Sequence, residues 1–196
     1  GETMSMILDT INVAREMDRD WYRISPLQPL PNTPIYDAMV AQGLIQDLGS
    51  AELRFMGGAY GKQAEIEQGR RLASPDFEKA FTSIPVDAVP TGEQITDIWF
   101  YMNYHLNFHR LFTEERLTKI EQQRQHLRAL CDIISPEHGF ALYFLGYLEH
   151  KVSGRIDPEI VARMDKRLET SPYWQDRFKA FGLSGDDLTS GRFTHQ

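Results

Sequence analysis

Apolar residues recur at helical spacing through the carboxyl-terminal half of the chain. Thr91-Gly92-Glu93-Gln94 has the form of a capping box, and Ile95, Ile98, Trp99, Met102, Leu106 and His109 follow on one face. Thr113, Glu114 and Glu115 open a second helix with Leu117, Ile120, Leu127, Leu130 and Ile134, which Ser135-Pro136 ends. A third begins near Glu137, carries Ala141, Phe144, Leu145 and Leu148, and stops at Gly154. Asp157-Pro158 starts a fourth with Ile160, Val161, Met164 and Leu168, broken at Ser171-Pro172. A short last helix holds Trp174, Phe178 and Phe181 and stops near Gly182. Residues 184–196 are polar and read as a flexible tail.

The first residues follow a different pattern. Thr3 is a candidate N-cap for a helix with Ile7, Leu8, Ile11, Ala14 and Met17 on one face. Asp20-Trp21-Tyr22-Arg23-Ile24 is short, aromatic and apolar, which predicts a strand over residues 21–25. Pro26, Pro29, Pro31 and Pro34 then fix φ and remove donors, so neither helix nor ladder runs through residues 25–33. Thr33 caps a helix that Pro34 starts, with Ile35, Tyr36, Met39 and Val40 on its apolar side and a stop at Gly43. A stiff loop at the carboxyl end of a strand is where α/β sheets hold ligands. A single strand leaves its ladder groups unpaired, so its neighbours are expected upstream or in another chain.

Residues 46–90 form a connector interrupted by Gly49, Gly57, Gly58, Gly61 and Gly69. Its Phe55-Met56-Gly57-Gly58-Ala59-Tyr60-Gly61 stretch lacks the Lys-Ser/Thr and the strand–helix context of a phosphate loop; a hinge or a loop over a barrel mouth fits it better.

With 41% apolar residues the chain can build a core. A net charge of −7 without a basic stripe argues against nucleic acid as a partner. No apolar run approaches the roughly 20 residues that span a bilayer, so neither a membrane nor export is expected, and the location read is cytoplasmic. Cys131 is the only cysteine, which excludes an internal disulfide and a self-contained iron–sulfur cluster. On the apolar face of its helix it reads as a small buried hydrophobe. His105 and His109 share a helix face at i, i+4, but no Glu stands between them and no third ligand is near. They read as core or interface histidines, and no metal ligand is assigned.

Gly1-Glu2-Thr3, the helix, the strand, Pro29-Leu30-Pro31-Asn32-Thr33-Pro34 and Tyr36-Asp37-Ala38-Met39 together resemble the second half of a radical S-adenosylmethionine (SAM) enzyme. That family closes a Gly-rich turn with Gly-Glu-Thr. After a helix and a strand it continues with a Pro-rich loop ending Pro-Gly-Thr-Pro, then a helix reading Tyr-x-x-Met. Asn32 stands where the family usually has Gly; Asn tolerates φ > 0, so the turn can survive. The resemblance covers about the first quarter of the chain. It implies that Gly1, Glu2, Ser25, Pro26 and Leu27 help bind SAM and that Gln28 faces substrate. It implies SAM and a 4Fe–4S cluster as cofactors, the cluster held by a CxxxCxxC loop that this sequence lacks. The expectation is therefore a carboxyl-terminal fragment whose first partner is the missing amino-terminal part of the same protein, acting on a small-molecule or cofactor-like substrate.

Ser135-Pro136 and Ser171-Pro172 enclose residues 140–154 and Pro158–Thr170, which resemble one tetratricopeptide-type hairpin, with Gly146 allowing close approach. The ending Tyr173-Trp174-Gln175-Asp176-Arg177-Phe178 resembles the tails of large radical SAM proteins with an upstream cobalamin-binding domain, so cobalamin is a further implied cofactor. The expected fold is mostly α with a small α/β part. Residues 1–45 end a partial (β/α) barrel, 46–90 connect, 91–183 form an all-α helical-hairpin cap, and 184–196 are tail. The contrasting expectation is a non-catalytic helical module that binds another protein.

Overall fold

Capping side chains set the helix starts that the sequence marks. The hydroxyl of Thr3 accepts from the Met6 N–H, that of Thr33 from Tyr36 and that of Ser171 from Trp174. Thr91 and Gln94 form a reciprocal capping box, and the Asp157 carboxylate accepts from the Glu159 N–H. The structure is a computed structural model describing residues 2–24, 31–43 and 77–193. It is mostly helical, with no strand or sheet among the described residues. None of these helices is long and apolar enough to cross a membrane. The connector up to residue 76, with its Gly-rich stretch, lies outside the described residues.

The chain divides into two compact units, one of Ser25–Gln68 and one of Gly1–Ile24 with Gly69–Gln196. In the smaller unit Asn32 has a left-handed backbone, φ 66°, directly before the Thr33 cap. In the larger, α1 is Met4–Glu16; the smaller contributes α2, Pro34–Ala41, which ends two residues before the left-handed Gly43.

The larger unit continues with α3 (Phe77–Ala80) and α4 (Gly92–Asn103), which runs into a π-helical turn at Tyr104–Phe108 and a 3-10 turn at His109–Phe112. Then come α5 (Leu117–Ala129), a second π-helical turn at Leu130–Ile134, α6 (Gly139–Ser153), α7 (Pro158–Thr170), α8 (Pro172–Ala180) and α9 (Gly185–Ser190). Helix α6 is the centre. It packs on α5, α7, α9 and both π-helical turns, and Gly139 through Glu149 are all buried. A helix apolar all round is one enclosed on every side, and the run Phe140-Ala141-Leu142-Tyr143-Phe144-Leu145 is apolar all round. The short link of residues 154–157, with Gly154 in the left-handed region, returns the chain as α7 against α6.

Trp174, Phe178 and Phe181 are buried, as the stripe spacing predicts, and Trp174 lies against Phe140 and His138 at 5.3 and 5.0 Å between ring centroids. Gly139 permits this: a Cβ there would sit 2.6 Å from the Trp174 ring. The Arg177 guanidinium is fully buried, 3.4 Å from the Tyr173 ring centroid and 4.5 Å from that of Phe100.

Four expectations are corrected. Residues 21–24 are not a strand: their main chain finds side-chain partners, described below, and no ladder. The polar stretch read as a tail contains α9, capped by Ser184 and anchored by the buried Leu188. Gly146 makes room first for Leu188 of α9, at 2.7 Å from a built Cβ, and only then for Ile156 and Ile160. Leu117 and Ile134 are exposed rather than on the packed face, because the helix starts only at Leu117 and turns π-helical after Ala129.

Candidate functional site

Of the residues that the resemblance assigns to SAM or substrate, only Glu2 is described. Gly1, Ser25, Pro26, Leu27 and Gln28 lie outside the described residues. Glu2 is exposed, just ahead of the Thr3 cap. The first free donors of α1 are already taken: the Met4 N–H donates to the Ala88 carbonyl at 2.9 Å and the Ser5 N–H to Val86 at 2.7 Å. The Met6 N–H donates to the Thr3 hydroxyl at 3.4 Å. This helix end therefore binds its own chain.

Residues 18–24 are held by side chains from elsewhere in the larger unit. Asp18 adopts φ 44°, which turns the chain out of α1. Its carboxylate accepts from Arg116 at 2.9 and 3.3 Å and from Lys119 at 3.4 Å. The Arg116 hydrogen bonds hold Asp18 and Glu114 well below the usual carboxylate range, each at about 2. The same two partners push Arg116 up, so the three charges stay ionised together.

Beyond Asp18 the contacts shift to main chain. The Asp20 carbonyl accepts from Arg110 Nη2 and from Gln123 Nε2. The Tyr22 N–H donates to Asn107 Oδ1 at 2.7 Å, and Asn107 Nδ2 donates to the Tyr22 carbonyl at 2.9 Å. Trp99 Nε1 donates to the Ile24 carbonyl at 2.8 Å. The Asn107 amide thus makes the pair of bonds that a neighbouring strand residue would make. Side chains secure the same segment. The Tyr22 hydroxyl donates to the Ala14 carbonyl and accepts from the Arg19 N–H at 3.0 Å. The Trp21 ring sits 5.4 Å from Phe108, edge to face, and 4.4 Å from His126, whose pKa burial lowers.

The first π-helical turn positions the clamp. It contains Asn107, which is fully buried, and Asn107 Nδ2 also donates to Asn103 Oδ1 at 3.3 Å. Asn103 in turn donates to the Trp99 carbonyl at 2.9 Å. Sequence reading missed these residues. The available signal was the polar row Trp99, Asn103, Asn107 at successive i, i+4 positions, running beside the apolar face.

The other candidates are quickly placed. The His105 and His109 rings are 5.5 Å apart, with Tyr104 5.2 Å from the first and 5.8 Å from the second. Among the described residues no group of three His, Cys, Asp or Glu side chains is arranged to hold a metal ion. Cys131 is fully buried, and burial pushes its thiol up to about 12, so it is neither a nucleophile nor a cluster ligand as folded. The chain matches no protein family model, and no curated protein or solved structure shows detectable similarity to it.

Proposed function

We propose that this chain is the carboxyl-terminal portion of a radical SAM enzyme, ending a partial (β/α) barrel and carrying the helical cap described above. The observation that carries this reading is the left-handed backbone at Asn32, φ 66°, followed by the Thr33 cap and Pro34. The resemblance puts Gly at that position, and φ > 0 is the property for which a turn uses Gly. The capped start of α1 directly after Gly1-Glu2 and the Tyr36-Asp37-Ala38-Met39 helix agree with the same order of elements.

In that family a 4Fe–4S cluster reductively cleaves SAM to yield a 5′-deoxyadenosyl radical that abstracts hydrogen from substrate. The residues present here do not fit the cluster, since the one cysteine is buried and protonated. On this reading the cluster belongs to polypeptide ahead of Gly1. The resemblance assigns Gly1, Glu2, Ser25, Pro26 and Leu27 to SAM and Gln28 to the substrate side. The chain's own task is positional: adenine is flat and is read by backbone groups, and a proline-stiffened loop presents such groups at small entropic cost on binding. A cobalamin-using subclass is the extension that the tail suggests. The alternative, a helical interaction module, needs an open apolar face, whereas the first helix of the expected hairpin, α6, is enclosed.

Extending the reading frame tests this. A CxxxCxxC loop roughly 130–180 residues before Gly1 is expected, the span of most of a barrel. Anaerobic reconstitution of this chain alone should give only background 5′-deoxyadenosine, and the full-length protein should give product. Absence of the cysteine loop, or turnover by this chain alone at an intact enzyme's rate, overturns the reading.

A further inference from the structure

The end of α6, the link after it, α7 and the end of α9 meet around a cleft of about 500 Å³, a size that holds a small organic molecule. Part of its wall is apolar, from Ile156, Val161, Ala162 and Leu188. His150 of α6 and Asp165 of α7 are polar. Gly154 and Gly191 complete it, both in the left-handed region, at φ 69° and 65°.

The charge around this cleft has one sign. Asp165 is its only carboxylate, and no lysine or arginine lines it, although Arg155 and Arg192 adjoin lining residues in sequence. Among the described residues the Asp165 side chain has no hydrogen bond and no ion pair. Its neighbours on α7 are committed elsewhere, Arg163 to Asp132 at 3.3 Å and Arg167 to Glu137 at 3.0 Å. Lys151, in the last turn of α6, donates to the Phe112 carbonyl and the Tyr147 hydroxyl. Helices α6 and α9 both finish at the cleft, at the caps Gly154 and Gly191. The last carbonyls of a helix lack partners within it and carry its partial negative charge. The His150 ring is placed by packing. Its Nε2 lies 3.0 Å from where a Cβ on Gly191 would stand, and the Phe193 ring is 5.5 Å away.

We propose that this cleft binds a small organic cation, an ammonium group on an apolar body. The ammonium group donates to the Asp165 carboxylate and faces the carbonyl ends of α6 and α9, while the body covers Ile156, Val161 and Leu188. An anion of the same shape meets a carboxylate and two negative helix ends. A neutral alcohol of the same shape gains the apolar contact but not the charge-assisted bond. The site lies wholly within the cap and does not depend on the radical SAM reading.

Titration with 2-phenylethylamine near neutral pH, followed by the amide NMR signals of this chain, tests the proposal. The Gly154, Leu188 and Gly191 amides should shift and saturate. 2-Phenylethanol and phenylacetate, which keep the ring but not the cation, should bind at least about 10-fold more weakly. Asp165→Asn should weaken the amine by about 10-fold or more, to the level of the alcohol, and leave the alcohol unchanged. Ala162→Phe, which fills the cleft from an exposed position on α7, should abolish the shifts. Protected α6 amides in both variants would show that the fold is intact; should Ala162→Phe unfold the cap, the Asp165→Asn comparison decides by itself. Shifts that do not saturate, or that map away from these three amides, overturn the site. Phenylacetate binding as tightly as the amine, or an Asp165→Asn variant with unchanged amine affinity, overturns the cation.

Discussion

Helix α6 and the segment at residues 18–24 are held by opposite means. Gly139 through Glu149 of α6 are buried, nearly all of them apolar or aromatic, and make ring contacts to Phe108, Phe112, Trp174 and Phe178. The segment at 18–24 is only partly buried and is fixed by polar side chains reaching its main chain. Apolar burial is non-directional and tolerates many partners. A main-chain clamp is directional, so its register depends on a few named atoms. The difference teaches that the cap does two jobs. It encloses its own core, and it fixes the course of residues 18–24.

The largest break in that comparison should come from the core. Trp174→Ala removes a ring that fills the space over Gly139, and chemical denaturation should show a loss of about 3–5 kcal/mol. An unchanged midpoint would mean that α8 does not seal the core. The clamp should survive in the folded fraction of this variant, with the Tyr22 amide still protected.

Acid should attack the same region next. His138 caps α6, its Nδ1 accepting from the Ala141 N–H at 3.1 Å, and burial pushes its pKa down to about 4 from 6.5. The unfolded chain therefore protonates first as pH falls. Stability from this group is complete above pH 6.5 and is lost as pH drops from 6.5 towards 4. The loss should be on the order of 3 kcal/mol, read as a falling denaturation midpoint across that window. A flat profile there would show that His138 does not titrate on unfolding.

Asn107→Ala should have the smallest effect on stability and the most local. It leaves the Tyr22 N–H and C=O without partners, at a cost of about 1–3 kcal/mol. Exchange at Tyr22 should accelerate while α6 amides stay protected. Equal acceleration in both places would mean that clamp and core are one cooperative unit, and the contrast drawn above would fail.

The helical cap was legible because its signals are local. Thr91-Gly92-Glu93-Gln94, Asp157-Pro158 and Ser171-Pro172 each place a cap or a fixed φ where a helix starts, and each starts where they stand. Trp174, Phe178 and Phe181 are buried because a 3.6-residue period puts them on one face. Asn32, which stands where the resemblance puts Gly, has the positive φ that Asn tolerates.

The state of residues 21–24 was not legible. Their β-branched and aromatic composition asks for an extended backbone, and that preference is local. Whether an extended backbone becomes a strand depends on what lies at its edges, which only the assembled chain decides. Here Asn107, about 85 positions later, occupies one edge. The π-helical turn that carries Asn107 is equally a tertiary outcome, since the apolar period predicted an uninterrupted α-helix through His109. Helix starts and periodic faces were thus settled within a few residues of themselves. The partners of main-chain groups were settled across the fold, because a hydrogen bond needs two atoms in place and one sequence position specifies only one of them.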